Sequence, residues 1–196
     1  MISKEDLKKM GEISEAGSKS ASSALSVMTG QDIAIEISDP EIVQIEQLQK
    51  NSKNGLVVSV LLKIEGELNG EMLLVLPESS AMKLVDILLR KKSQKTVKLD
   101  KLSESALREV GNILVGNYLS ALSNALKMEL LESVPDLVLD TRESIMNSLV
   151  VEISQHGYET IVFKMEFEVQ KEEVKGEMFM FFNPQSIEKI LEKIKK

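Results

Sequence analysis

The sequence contains no cysteine, no tryptophan and only one histidine. The absence of cysteine excludes disulfides, thiolate metal ligands and cysteine nucleophiles. A zinc site or a Ser–His hydrolase is also disfavoured, because a single imidazole remains for either. That histidine, His156, is followed by Gly157, and we expect it in a surface loop. Aromatic residues make up only 4% of the chain, so aliphatic side chains and methionine must build the core.

Long apolar runs and clustered positive charge are also missing. The net charge of −7 argues against a nucleic-acid binder, which needs grouped Lys and Arg to neutralise phosphates. No apolar run approaches the roughly 20 residues that span a bilayer. The N-terminus is charged rather than apolar, so we expect no signal peptide and a cytoplasmic location. The length of 196 residues suits one domain with a sizeable core.

Hydrophobic periodicity predicts a mixture of helices and strands. Two long helices are predicted, from Lys4 to about Thr29 with Ser3 as the N-cap, and over Ser103–Leu126. Residues 145–153 fit a helix nearly as well as a strand, and 91–98 form a polar linker. Strands are predicted at 33–37, 55–65, 71–76, 134–139, 158–169 and 178–182, and shorter helices at 80–90 and 186–194.

Short runs in the first half of the chain recur in the second. Ser23-Ala-Leu-Ser26 recurs as Ser120-Ala-Leu-Ser123, and Gly70-Glu-Met72 recurs as Gly176-Glu-Met178. In both halves the Gly-Glu-Met run leads through an apolar strand and a proline into a helix. Such recurrence is typical of a duplicated unit.

The predicted fold class is therefore α+β, in one domain over residues 1–196. Two tandem repeats, about 4–92 and 99–196, would place their long helices together on a shared and largely antiparallel sheet. The acidic stretches Glu41–Glu46 and Glu166–Glu173 are interpreted as exposed strand faces rather than metal sites. No metal site is predicted.

Glu109 and Asn112 share a face of the second long helix, because they are three residues apart. Asn and Gly in mid-helix are unfavourable, and Gly111 beside Asn112 suggests a packing or functional need. A carboxylate can dock onto a partner's Lys. A carboxamide can both donate and accept, and so can hold a water against a phosphoryl group. The spacing alone favours a simpler interpretation, an exposed Glu beside an Asn that packs in the helix near the glycines.

A longer motif resembles a known family. Ser105-x3-Glu109-x2-Asn112-x22-Pro135 is similar, position for position, to the Asp/Ser-x3-Glu-x2-Asn-x22-Pro signature of the CheC, CheX and FliY phosphatases. The run 106–122 resembles the second phosphatase helix of CheC in particular. A FliY-type protein would carry a further flagellar-switch domain, whereas this sequence ends at Lys196, and a CheX-type protein would differ in its first half.

The resemblance implies a phosphatase acting on the aspartyl-phosphate of a CheY-like chemotaxis response regulator. Glu109 would pair with the Lys beside the phosphorylated Asp, and Asn112 would orient the attacking water. The Mg²⁺ would belong to the regulator, with no cofactor held by this chain. Ser105, by a local hydrogen bond, and Pro135, by fixing the turn into a strand, would shape the site. The alternatives are a binding module that regulates the receptor deamidase CheD and a component of the flagellar or archaellar switch.

The first half departs from the signature. Glu12 aligns with the docking carboxylate, but Glu15 stands where Asn is expected and Lys8 replaces the Asp or Ser. The nearest proline, Pro40, lies two residues late, which suggests different local geometry. An ionised Glu15 cannot donate a hydrogen bond to a phosphoryl oxygen and would repel it. We interpret Glu12 and Glu15 as a degenerate first site, with a weak second site or a docking surface as the alternatives.

Overall fold

The computed structural model describes residues 2–49, 55–91, 98–155, 159–169 and 171–195. It contains five α-helices, eight strands and one short 3₁₀ helix within these residues. In chain order they are α1 (Lys4–Thr29), β1 (Ile33–Ile37), β2 (Glu41–Gln44), the 3₁₀ helix (Ile45–Gln49), β3 (Leu56–Gly66), β4 (Gly70–Pro77), α2 (Glu78–Leu88), α3 (Lys101–Leu126), β5 (Leu130–Glu132), β6 (Asp136–Thr141), α4 (Arg142–Ser154), β7 (Glu159–Val169), β8 (Val174–Phe182) and α5 (Pro184–Ile194).

The strands form one sheet in the order β1-β7-β8-β4-β3-β5, and every described pair is antiparallel. The two outer positions are built alike. β5 and β6 both pair with β3, and β1 and β2 both pair with β7. The predicted α+β class with a shared antiparallel sheet is confirmed.

The register at the centre of the sheet is symmetric. β4 pairs with β8 so that Leu73 lies opposite Phe179. These two residues are separated along the chain by the same interval as the two Gly-Glu-Met runs at Gly70 and Gly176. Leu73 of the first half therefore pairs with the equivalent residue of the second half, Phe179, at the centre of the sheet. The derivation of the halves from tandem repeats, with the bounds given above, stays a prediction.

Each face of the sheet buries its own hydrophobic cluster, because side chains alternate along a strand. Met72, Leu74 and Leu76 of β4 pack in the larger cluster, which includes the buried faces of α1 and α3. Leu73 and Val75 point to the other side and pack in a smaller cluster under α4 and the 3₁₀ helix.

Helices α1 and α3 pack closely against each other where Gly17 meets Tyr118. Tyr118 is fully buried, and its hydroxyl forms a hydrogen bond with the hydroxyl of buried Ser14. A β-carbon placed on Gly17 would lie 2.7 Å from the Tyr118 ring, so only glycine fits this crossing. Burial raises the pKa of the Tyr118 phenol, which keeps the hydroxyl protonated and able to donate.

Several segment predictions are now resolved. Residues 145–153 belong to helix α4, whose residues Met146, Leu149, Val150 and Ile153 are buried at helical spacing behind the N-cap Thr141. β5 and the 3₁₀ helix were not predicted, since both are too short to show a period. Most of the 91–98 linker and the loop position expected for His156 lie outside the described residues. Among the helices that are described, none is long and apolar enough to span a membrane.

Replacement of Gly17 by valine should destabilise the protein. The new side chain meets the Tyr118 ring, and overpacking of this kind costs about 2–3 kcal/mol of unfolding free energy. Ala16→Val places the same side chain at the adjacent exposed position of α1, where only the helix propensity changes, by about 0.5 kcal/mol. Urea unfolding of both variants measures the difference. Equal losses would show that the crossing tolerates a side chain.

Candidate functional site

Helix α3 lies directly on the sheet beneath the predicted site. A β-carbon placed on Gly111 would lie 2.6 Å from Val60 Cγ1 of β3, so glycine is required for this close approach. Gly111, Val110 and Leu114 face the core, and Glu109 and Asn112 turn away from it. The unfavourable glycine in mid-helix thus has a packing role beside the candidate residues.

Glu109 and Asn112 have free functional groups. Glu109 is exposed and Asn112 is half-buried. Within the described part of the chain, the carboxylate of Glu109 and the carboxamide of Asn112 make no hydrogen bond or ion pair. Asn117, by contrast, donates a hydrogen bond from Nδ2 to the carbonyl of Ile113 at 2.8 Å. Both candidate residues can therefore engage an external group without breaking an internal bond.

Pro135 is held against α3 by a residue to which the sequence analysis gave no role. Arg108 donates from Nη1 to the Pro135 carbonyl at 2.6 Å and lies 3.6 Å from the Asp136 carboxylate. Pro135 directly precedes β6, at the entry into the strand where the sequence analysis placed it. Arg108 ties that entry to the helix turn that carries Glu109. Arg108 is adjacent to Glu109 in sequence, but its role depends on a strand that begins 28 residues later. Periodicity predicts that strand but does not show that it lies beside Arg108.

Ser105 does not make the local hydrogen bond expected of it. Its side chain is exposed and has no hydrogen-bond partner among the described residues. The start of α3 is capped instead by Asp100, whose Oδ1 accepts from the backbone N–H and the hydroxyl of Ser103, at 2.8 and 2.6 Å. These bonds hold the pKa of Asp100 below its usual value. Ser105 remains on the same helix face as Glu109, one turn away.

The first half builds a similar junction in a different way. Pro40 directly precedes β2, as Pro135 directly precedes β6. Pro40 is buried, and its Cδ would lie 3.2 Å from a β-carbon placed on Gly11 of α1. Pro40 therefore lies at a strand entry, as Pro135 does, although it is two residues late in the signature; the different local geometry that this spacing suggests stays a prediction.

The carboxylates of the first half have partners, unlike Glu109. Lys19 Nζ lies 2.8 Å from Glu15 Oε1, and Lys8 Nζ lies 4.0 Å from Glu12 Oε1. The Lys19 ammonium lowers the pKa of Glu15, so Glu15 is ionised at neutral pH. The two pairs lie along a groove of about 540 Å³ between α1 and residues 35–39. This face presents paired charges rather than a free acid and a free amide.

Among the residues that the structure describes, no group of three or more His, Asp and Glu side chains is placed to hold a metal ion. The functional groups of the α3 face are thus a carboxylate, an amide and a hydroxyl, on Glu109, Asn112 and Ser105. Such a set can position a water and bind a cation of a partner, but it supplies no strong nucleophile of its own.

Comparison with known proteins supports the resemblance of the motif. Residues 102–139, which include all four signature positions, match the model of the CheC-like family. The CheY-P phosphatase CheC of Bacillus subtilis (strain 168) is 29% identical over 195 residues, covering 96% of this chain and 93% of that protein.

Solved structures share the fold. Thermotoga maritima FliY superposes with a TM-score of 0.81 at 21% identity, over 100% of this chain and 98% of that chain. The FliM middle domain from H. pylori superposes with a TM-score of 0.67 at 15% identity, over 98% and 99%. The resemblance to the CheC-like family that the motif indicated is thus confirmed by the family model, by the curated relative and by the fold.

Proposed function

We propose that this chain hydrolyses the aspartyl-phosphate of a CheY-like response regulator, with Glu109 docking the regulator and Asn112 positioning the attacking water. The observation that carries the proposal is the pair of unpartnered side chains on one outward face of α3. The name of the Bacillus subtilis relative, CheY-P phosphatase CheC, supports the same substrate class.

Asn112 suits the role of a water-positioning group. Its carboxamide has an acceptor oxygen and a donor nitrogen, so one end can accept from the water while the other donates to a phosphoryl oxygen. Because the amide forms no hydrogen bond with any residue that the structure describes, none of those residues competes with the water for it. Phosphoryl transfer requires little covalent chemistry, and alignment of the water is sufficient for a large rate gain. The Mg²⁺ that this chemistry uses is proposed to be carried by the regulator.

Glu109 suits the role of a docking group. It is exposed and has no ion-pair partner in the described part of the chain, so its charge is available to a Lys ammonium on the regulator. Two exposed apolar side chains, Leu102 and Val134, accompany it, at 61% and 87% exposure. Leu102 lies two turns before Glu109 on α3, and Val134 adjoins Pro135. A charged group flanked by exposed apolar side chains is typical of a protein-docking surface.

The other functions are supported less directly. The likeness to the FliM middle domain is one of fold, and at 15% identity it transfers no functional residue to this chain. Binding to the deamidase CheD stays a prediction of the resemblance. The Asn112 side chain, without a partner in the described residues, favours the phosphatase over both alternatives. A docking module or a switch component does not need a free carboxamide beside a free carboxylate.

Asn112→Ala should reduce the accelerated dephosphorylation by about 100-fold or more, to near the regulator's own decay rate. The fold should be retained, because the Asn112 amide makes no bond in the described residues and its loss costs little stability. Asn117→Ala is the matched control, since it removes an amide of the same helix that serves only Ile113. Decay of phosphorylated regulator with Mg²⁺ present is timed for both. Equal rates for Asn112→Ala and the unsubstituted protein would refute the role of Asn112.

Glu109→Lys should weaken the complex with the activated regulator by about tenfold or more, because it sets like charges against each other. Glu143→Lys makes the same change of net charge at an exposed, unpaired position of α4 and should leave the affinity nearly unchanged. Calorimetry with a beryllofluoride-activated regulator measures both. If the two variants bind alike, Glu109 does not dock the regulator.

A further inference from the structure

A cavity of about 260 Å³ opens on the face of the sheet opposite α1 and α3. It lies where β3 and β8 end and β4 and β7 begin, near the C-terminal end of α4. Its polar lining includes Lys63, Glu71 and Thr160, and its apolar lining includes Ile153 and Phe181. None of these residues takes part in the proposed phosphatase site.

Glu71 is the unusual member of this lining. It is a carboxyl group on a central strand and is only 9% exposed. The Glu71 carboxyl has a side-chain hydrogen bond with Glu152 of α4, but its Oε2 atom is buried and has no hydrogen-bond partner among the described residues. An acceptor buried without a donor is unfavourable, so its retention beside a cavity suggests that a donor from outside the chain satisfies it.

The nearest ammonium of the protein is already engaged. Lys63 lies opposite Glu71 on the neighbouring strand, but its Nζ pairs with Glu152 Oε1 of α4 at 2.7 Å. This pairing raises the pKa of Lys63. Around the cavity, Glu65 and Glu159 add two further carboxylates. The Glu159 carboxylate accepts a hydrogen bond from Gln44 Nε2 at 2.5 Å. The described lining therefore carries an excess of negative charge.

We propose that this cavity binds an alkylammonium group, whose charged head hydrogen-bonds to Glu71 and whose carbon chain lies against Ile153 and Phe181. An ammonium supplies the missing donor and the opposite charge together. A divalent metal fits less well, since no group of three or more His, Asp and Glu in the described residues is placed to coordinate one. The alkylammonium can be a free amine or the side chain of a partner's lysine.

Binding should depend on pH through Glu71. Burial and, to a lesser extent, the neighbouring Glu152 carboxylate together raise the pKa of Glu71 to about 7, against the opposing effect of the Lys63 ammonium. Only the ionised carboxylate attracts the ammonium strongly, so the affinity rises as the pH increases through 7. Without ligand, Glu71 makes the fold less stable as the pH rises from 4.5 to 7, because the folded state holds its proton longer than the unfolded state.

The test uses butylammonium chloride and 1-butanol, which have nearly the same size and differ in charge. Carboxyl ¹³C NMR follows the titration of Glu71, and thermal unfolding follows the stability at pH 8. Butylammonium should lower the pKa of Glu71 by about one unit and raise the unfolding midpoint with concentration, while butanol should do neither. Blocked lysine, N-acetyl-lysine-N-methylamide, distinguishes the sources. Its binding would indicate a partner's side chain, whereas binding of butylammonium alone would indicate a free amine.

Two variants check the site. Glu71→Gln keeps the shape of the side chain and should abolish the effect of butylammonium on the unfolding midpoint. Glu143→Gln removes an exposed carboxylate of α4 away from the cavity and should leave the effect unchanged. The proposal is overturned if butylammonium shifts neither the Glu71 titration nor the unfolding midpoint, if butanol acts equally, or if Glu71→Gln responds like the unsubstituted protein.

Discussion

The packing of Tyr118 onto Gly17 fixes the two long helices against each other, and the outward faces of both helices depend on it. At the crossing, the Tyr118 ring of α3 packs directly on the Gly17 backbone of α1, and the Tyr118 hydroxyl forms a hydrogen bond with the Ser14 hydroxyl. Gly111 then sets α3 close to Val60 of the sheet. With its inner face packed closely at both points, α3 presents Asn112 outward, where its side chain makes no hydrogen bond among the described residues.

The two long helices are packed together in the same way for both halves, but their exposed polar side chains differ in whether they have ion-pair partners. In the first half, both carboxylates of the exposed face of α1 have lysine partners one turn away, at Lys8 and Lys19. In the second half, Glu109 and Asn112 have no such partners in the described residues. Exposed ion pairs of this kind contribute little to stability. They matter instead for binding. A partner's cation must displace Lys8 to reach Glu12, whereas no lysine of the described residues pairs with Glu109.

The sequence predicts the elements better than it predicts their contacts. The long helices, the antiparallel sheet and the face shared by Glu109 and Asn112 follow from periodicity, which acts locally. The roles of Arg108 and Pro40 do not follow, because each depends on a strand entry brought close by tertiary structure. Ser105 makes no hydrogen bond among the described residues, although the resemblance implied a local one, and the cap of α3 is supplied by Asp100 and Ser103. Similarly, the sequence shows Glu71 only as the first polar residue of an otherwise apolar strand, and the cavity beside it becomes visible only in the structure.

We propose that catalysis resides in the second half alone, because among the described residues of the two long helices' outward faces an unpartnered amide lies beside an unpartnered carboxylate only there. The direct measurement is steady-state phosphate release from a regulator that is continuously rephosphorylated by a small donor, with all variants at equal concentration. The variant with Glu12→Ala and Glu15→Ala should keep most of the activity, and the variant with Glu109→Ala and Asn112→Ala should lose nearly all of it. Equal losses in the two double variants would contradict the account, since Glu15 would then be catalytic or the two halves would act together.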